Sequence, residues 1–330
     1  MNCPLNTEEV NKSASSNWLR ALPLFDDEDV VRHGADAHHV LVDPDGETTS
    51  RCSLWWRNTP ALTGHQVGLI GHYAASCSEA GETLLKQACG ELKANGCTLA
   101  VGPMDGSTWR RYRFVTEIGE APFFFLEPEN PPEWPQYFEG AGFKPLANYY
   151  SSVTDRLDYE DPKARAAEQR LTALGVKLRP LEMNRWEQEL REIYRITTAC
   201  FHGSFLYQPQ PEAQFLAECR QLQPFVRPEL VIFATCKDRA VGFVFNTPDV
   251  LQARRGGSID TVILKTLAVV PDRSYAGLGS YLAQQTHRVA RGLGYRRVIH
   301  ALMHEKNVSL NISARYANPF RRYVLFARPL

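Results

Sequence analysis

An excess of charge of either sign is missing from this 330-residue chain: 37 Lys and Arg stand against 37 Asp and Glu. That balance gives no argument for a nucleic-acid partner and none for an acidic tail. Basic pairs such as Arg110 with Arg111, Arg296 with Arg297 and Arg321 with Arg322 are short and read as solvated strand or turn ends. Long apolar runs are missing too. None approaches the roughly 20 residues that span a bilayer, so no membrane partner is expected. Residues 1–18 carry acids and lack an apolar central region, so they do not read as a secretory signal. The eight cysteines, Cys3, Cys52, Cys77, Cys89, Cys97, Cys200, Cys219 and Cys236, include no C-x-x-C spacing. They read as reduced, buried thiols of a cytoplasmic protein. His38 and His39 adjoin, but on a strand they would point to opposite sides, and no metal site is expected.

The length suffices for two ordinary domains. A charged stretch, residues 156–175, separates two halves, 1–155 and 176–330, and reads as a helical linker starting at Pro162. In the second half, residues 176–181 alternate as a strand. Residues 186–201 form an amphipathic helix with Leu190, Ile193, Ile196 and Thr197 on one side, and 229–246 read as a hairpin turning at Lys237, Asp238 and Arg239. In the first half, residues 66–75 read as a strand. Residues 79–95 read as a helix carrying Leu84, Leu85, Ala88 and Leu92 on one face, stopped by Gly96. A strand at 98–101, a short helix at 134–141 and a strand at 144–153 follow. Residues 102–109 form a rigid Pro/Gly/Asp/Ser loop. The aromatics behind it (Trp109, Tyr112, Phe114, Phe123, Phe124, Phe125) read as core rather than as the wall of a pocket.

Residues 267–280 carry the strongest functional signal. An apolar strand, 262–270, is stopped by Pro271 and Asp272. A loop with Gly277 and Gly279 follows, and then an amphipathic helix over 281–292. The first turn of a helix offers backbone N–H groups without partners and a positive dipole end, and glycines let a ligand come close. The unit therefore reads as an anion site. No Lys-Ser/Thr pair follows the glycines, which excludes a Walker loop, and the third glycine of a dinucleotide fold is lacking.

Val269-Val270-Pro271 followed by Gly277-Leu278-Gly279 resembles motif A of the GNAT superfamily of acyl-CoA-dependent N-acetyltransferases. Ser274 stands where that family has Arg or Gln, with Arg273 one residue early. The resemblance extends over 176–330: a strand at 295–303, a helix at 305–316 capped by Asn307, and a strand at 320–327 follow in the family's order. The first half repeats that order without the glycine loop between Gly68 and Glu79. The resemblance thus implies an α/β (α+β layered) fold of two GNAT-like domains, each a mixed central sheet flanked by helices, the first without the pyrophosphate loop.

What the family implies for function is direct acyl transfer from acetyl-CoA, or another acyl-CoA, as co-substrate to a small-molecule or peptide amine, with no metal, in a monomer or homodimer. Backbone amides of Tyr275, Ala276, Gly277, Leu278, Gly279 and Ser280 would hold the pyrophosphate, helped by the Ser274 and Ser280 hydroxyls. The strand end Leu267, Ala268, Val269 and Val270 would align the pantetheine and polarise the thioester, and Asn307 would bond the CoA arm. Tyr316 is the candidate acid for the thiolate. The base is open between Glu305, His304, His300 and Asp260, or a water chain, with Glu305 beside the expected sulfur position. Residues 202–207 would line the acceptor side, where Phe205 and Tyr207 suggest a partly apolar acceptor. The other readings are a non-catalytic module that holds CoA or a metabolite and an aminoacyl-tRNA-dependent transferase; the charge balance speaks against the latter.

Overall fold

A computed structural model describes residues 22–23 and 25–330. Cys3 and the segment of residues 1–18 lie outside the described residues. The chain forms two compact units. The first holds the described residues up to Tyr112, Asn130–Lys144 and Phe326–Leu330, and the second holds Arg113–Glu129 and Pro145–Leu325.

In the first unit a short helix α1 (Glu28–Arg32) precedes an antiparallel meander of β1 (Ala37–Val42), β2 (Thr48–Trp55) and β3 (Val67–Ala75). All nine residues of β3 are buried, as its nearly continuous apolar sequence requires. Helix α2 (Ser78–Ala94) buries Leu84, Leu85, Ala88 and Leu92, the stripe read from their spacing. Then β4 (Leu99–Gly102) lies parallel to β3, and residues 326–329 pair antiparallel with β4. Helix α3 (Trp134–Gly140) buries Trp134, whose indole N–H donates to the Ala75 carbonyl at 2.9 Å.

β3 and β4 pair only as far as Leu69 and Val101, and β3 runs on to Ala75 without β4. The gap is closed by the chain itself. The Met104 amide donates to the Ile70 carbonyl at 2.9 Å, and the His72 amide donates to the buried Asp105 carboxylate at 2.6 Å. A Cβ on Gly71 would stand 2.2 Å from the Met104 carbonyl oxygen, so only glycine admits this backbone. The turn before α2 has Cys77 at its N-cap in extended conformation, and no glycine occurs until Gly81, whose Cβ would meet the Tyr73 hydroxyl at 2.5 Å.

The second unit runs β5 (Phe114–Glu117), β6 (Lys144–Thr154), α4 (Pro162–Ala173), β7 (Val176–Pro180), α5 (Trp186–Phe201), α6 (Glu212–Leu222), β8 (Val231–Cys236), β9 (Arg239–Pro248), α7 (Leu251–Arg254), β10 (Thr261–Val269), α8 (Leu278–Gly292), β11 (Arg297–His304), α9 (Val308–Ser313) and β12 (Asn318–Pro329). Its mixed sheet has the order β12-β6-β11-β10-β9-β8-β7, with β5 on β12 and a parallel pair at β10 and β11. One face carries α4 and α8, through Ala167, Leu171, Leu278 and Leu282 against Ile232, Val244, Val262 and Val298. On the other face Phe124 packs with Ile263, Ile299 and Ala301.

These units differ from the consecutive halves expected from the sequence, because strand pairing ignores chain order. Residues 113–129 and β6 join the second unit, where β5 pairs with β12 and β6 with β11, whereas 326–330 join the first through β4. Residues 156–175 are no free-standing linker. Their helix α4 buries Ala164, Ala167 and Leu171 in the second unit. Proline stands at its start as expected, and the Asp161 side chain caps it by accepting from the Lys163 amide at 3.2 Å.

Candidate active site

The site begins where two parallel strands part. β10 and β11 are in register only from Thr261 with Arg297 to Leu264 with His300; β10 then continues to Val269 and β11 to His304 without each other. Each strand is irregular at that point. The pairing of β10 with β9 skips a residue between Leu264 and Thr266, leaving Lys265 as an extra, bulged residue. The pairing of β11 with β6 shifts between His300 and Met303, and Leu302 sits at φ +61°. Beyond the bulges, the Val270 amide donates to the Val241 carbonyl of β9 at 2.9 Å. By alternation, the backbone polar groups of Val269 and Leu267 turn the other way, into the gap. Of the four strand residues expected to align a pantetheine, Ala268 and Val270 face β9, and Leu267 and Val269 face the opening, where the Val269 amide is engaged by the Cys200 thiol.

The glycine loop follows. Arg273–Tyr275 form one 3₁₀ turn, in which the amides of Tyr275 and Ala276 donate to the carbonyls of Asp272 and Arg273. Gly277, at φ +80°, is the N-cap of α8, whose first i to i−4 bond runs from the Tyr281 amide to the Gly277 carbonyl. The amides of Gly277, Leu278, Gly279 and Ser280 thus precede the helical ladder and have no acceptor within the helix. This narrows the expected set of six, since Tyr275 and Ala276 already have acceptors. The Ser274 hydroxyl and amide are both bonded to the Asp272 carboxylate, and Ser274 does not line the cleft. What holds the loop in its place is Arg170 of α4, whose guanidinium donates to the Ser274 carbonyl at 2.9 Å and to the Ala276 carbonyl.

The gap and the loop open on one cleft of 1280 Å³. Lys163, Arg273, Lys306 and Arg315 bring cations to it, and among the described residues no carboxylate pairs with Lys163 or Arg273. Arg315 donates to the Ser280 hydroxyl at 2.7 Å and pairs with Asp161. Asn307 caps α9, its side-chain oxygen accepting from the Ser309 amide at 3.1 Å, and lines the cleft as well. Gly203, Ser204 and Phe205 of the expected acceptor stretch are in the wall, whereas Tyr207 is not. Cys200 is also there; burial pushes its thiol up, against the effect of the Val269 amide, which donates to it.

The candidate proton-handling groups separate. Glu305 lines the cleft, but the Asn148 side chain and amide donate to its carboxylate at 2.9 and 3.2 Å and hold it below the usual range. His304 lines the cleft between Phe205 and Tyr149, with ring centroids 5.3 and 5.0 Å away. Burial lowers its pKa, with Lys306 and Arg113 in the same sense and Glu305 against. Its Nδ1 accepts the Lys306 amide at 3.1 Å, so the neutral ring carries its proton on Nε2. Tyr316 is not brought to the cleft wall. Its buried hydroxyl lies 3.3 Å from both Asp161 and Gln284, and burial with Asp161 alongside raises its pKa. His300 is buried on the α8 side, 2.9 Å from His287 and 2.9 Å from the Ser313 hydroxyl. Asp260 lies at the opposite end of β10, bonded to Gln252, Thr261 and Arg297.

Several residues at the candidate site are not visible in the sequence as such. Arg170 and Lys163 lie on α4, whose Ala164, Ala167 and Leu171 stripe was the available sign that the helix packs on something. Lys265 interrupts an apolar strand, the visible trace of the bulge. Among the described residues no group of three His, Cys, Asp or Glu is placed to hold a metal ion, and no helix is long and apolar enough to cross a membrane.

No protein-family model matches the chain. A curated protein described as a bacterial ceramide synthase, from Caulobacter vibrioides, is 26% identical over 197 residues, 59% of this chain and 51% of that protein. The chain therefore spans about half the length of the curated relative it matches. Among solved structures, a GCN5-related glucosamine N-acetyltransferase region of a fungal multi-domain GH3 beta-N-acetylglucosaminidase superposes with a TM-score of 0.54 at 14% identity, over 91% of this chain and 34% of that one. A GCN5-related N-acetyltransferase from Sphaerobacter thermophilus superposes with a TM-score of 0.50 at 15% identity, over 92% and 85%. The fold is that of the GCN5-related N-acetyltransferases, the GNAT architecture. Its two units each hold a parallel strand pair that parts, and one of the two openings leads to a cleft.

Proposed function

We propose that the chain is an acyl-CoA-dependent N-acyltransferase whose second unit holds the acyl donor. The observation that carries this reading is the junction of the β10–β11 opening with the first turn of α8. The Leu267 and Val269 strand end meets the helix-start residues Gly277, Gly279 and Ser280 in one cleft, and among the described residues no carboxylate pairs with Lys163 or Arg273. An extended amide-bearing arm suits the strand edge, and a pyrophosphate suits the amides and cations.

In the transfer, the acceptor nitrogen attacks the thioester carbonyl. The C–N bond forms, the C–S bond breaks, the nitrogen gives up a proton and the thiolate takes one up. The His304 Nε2–H donates a hydrogen bond at the developing oxyanion, which a neutral ring with Nδ1 already engaged can do. Glu305, held low by Asn148, keeps its charge and orients the 148–305 edge rather than taking the proton. The ceramide synthase named above makes, by its name, an amide-linked lipid. Together with Phe201, Phe205 and Leu146 in the wall, this favours an apolar reactant at the acceptor end.

Calorimetric titration with acetyl-CoA and a long-chain acyl-CoA, followed by an amine screen with thiol release as the readout, tests the reading. Binding at one site per chain with CoA release dependent on an amine supports it. Binding without release for any amine favours a non-catalytic CoA-holding module instead. No binding at millimolar ligand overturns both.

A further inference from the structure

The bulges of β10 and β11 are joined by a chain of buried side chains that the transfer chemistry above does not use. On the β10 side, the Lys265 ammonium donates to the Leu126 carbonyl at 2.9 Å. The next residue, Glu127, has a fully buried side chain that accepts from the Phe124 amide at 3.0 Å and from the Tyr323 hydroxyl, and forms an ion pair with the Arg321 guanidinium at 3.1 Å. The Tyr323 hydroxyl in turn lies 2.9 Å from the Ser151 hydroxyl. Ser151 accepts the Leu302 amide at 3.0 Å, and the Leu302 carbonyl accepts from Arg113 at 3.3 Å. Leu302 is the residue at φ +61°, a conformation that a leucine holds only when its surroundings over-determine it.

We infer that Glu127, Tyr323 and Ser151 are positioning residues: the line from Lys265 to Leu302 braces the two bulges at the point where the strands part and so fixes the acceptor end of the cleft. The inference rests on the acyl-transfer reading of that cleft. Its logic is geometric. Both irregularities occur at the last paired residues, and both lead to the 126–127 segment, Lys265 through the Leu126 carbonyl and the Leu302 amide through Ser151, Tyr323 and the Glu127 carboxylate. Removing the Tyr323 hydroxyl leaves Glu127 and Ser151 short of a partner and frees the Leu302 turn to relax into regular pairing. The ionisable members also share a range. Burial pushes the Glu127 carboxyl up to about 7, against Tyr323 and Arg321, and burial with Arg113 alongside brings Lys265 down to about 7. Groups facing this pair come from β12 (Arg321, Tyr323), from β10 (Lys265) and from the turn before β5 (Arg113). The brace therefore changes its charge state near neutral pH.

The test compares the full-length chain with Tyr323→Phe and Ser151→Ala, by hydrogen exchange across residues 297–304, by acyl-CoA titration, and by kcat and its pH profile. In both variants, exchange at the Leu302 amide is expected to quicken at least about 10-fold while acyl-CoA affinity stays within about 3-fold. With an acceptor amine in hand, kcat falls about 10-fold at unchanged KM for acyl-CoA, and the profile between pH 6 and 8 flattens in Tyr323→Phe. Unchanged Leu302 protection in both variants overturns the brace, and so does loss of acyl-CoA affinity in parallel with protection, because the whole cleft would then have collapsed. A wild-type chain that binds acyl-CoA and acylates nothing sinks the transfer reading alone; the exchange and affinity comparison still decides the brace.

Discussion

The guanidinium of Arg170 and the carbonyl of Ser274 are 2.9 Å apart, 104 residues apart in sequence. This contact replaces, from α4, a fixed point that the loop before α8 would otherwise need from its own side chains. Arg170→Ala removes two charge-assisted bonds from that loop. Acyl-CoA affinity is expected to fall about 10-fold. Calorimetry decides it, and an affinity equal to wild type would show that the loop keeps its shape without the helix.

Gly277 is fixed twice over, by φ +80° and by Ala167, whose Cβ would lie 2.8 Å from a Cβ at position 277. A β-branched residue there meets a backbone cost of about 1–3 kcal/mol and a collision with α4. Gly277→Val should lose at least about 100-fold in acyl-CoA affinity, two factors of ten at about 1.4 kcal/mol each. Retained affinity in a chain that melts cooperatively would mean that the anion does not sit on this turn.

Tyr316, expected as the acid, lies off the cleft wall, whereas His304, expected among the candidate bases, lines it. With its hydroxyl held by Asp161 and Gln284, Tyr316→Phe should cost about 1 kcal/mol of stability and leave kcat within about 3-fold. His304→Ala should lower kcat about 100-fold at similar acyl-CoA affinity. The reverse pattern, a kcat that collapses in Tyr316→Phe alone, would restore the tyrosine as the acid.

Acid should loosen the protein before it titrates the surface carboxylates. Burial holds His287 down to about 4, and burial together with His287 holds His300 well below its ordinary value. Both folded-state pKa values lie under the unfolded value, so the unfolded chain binds more protons as pH falls from about 6.5 toward 4. Stability is then lost in that window at about 1.4 kcal/mol per pH unit per histidine. His33 and His72, held down to about 4 and about 3 chiefly by burial, act in the same sense. Melting temperatures at pH 7.5, 6 and 5 check it, and a flat series would contradict the buried, neutral state of these rings.

The part of the site that lies close together in sequence was legible there. Strand, Pro271 stop, Gly277 and helix form one contiguous unit, and the Asn307 cap follows from local backbone chemistry. Contacts across the fold were not. Arg170 sits in a stretch whose charge concealed its apolar stripe. Glu127 sits in a run of Phe and Pro that reads as core, and its carboxylate acquires meaning only when β12 delivers Arg321 and Tyr323. Bulges are properties of register between strands, and a single sequence shows register only as an odd Lys265 in an apolar run. The same limit explains why residues 113–129 and 326–330 fall in other units than consecutive halves would place them.

The Met104–Asp105 turn that returns into the first unit's strand gap has a consequence for saturation. On the acyl-transfer reading, a chain that fills one of its two openings with its own backbone would offer acyl-CoA one class of site. Its acyl-CoA isotherm should be a plain hyperbola with a Hill coefficient of one, and any sigmoid would have to come from association between chains.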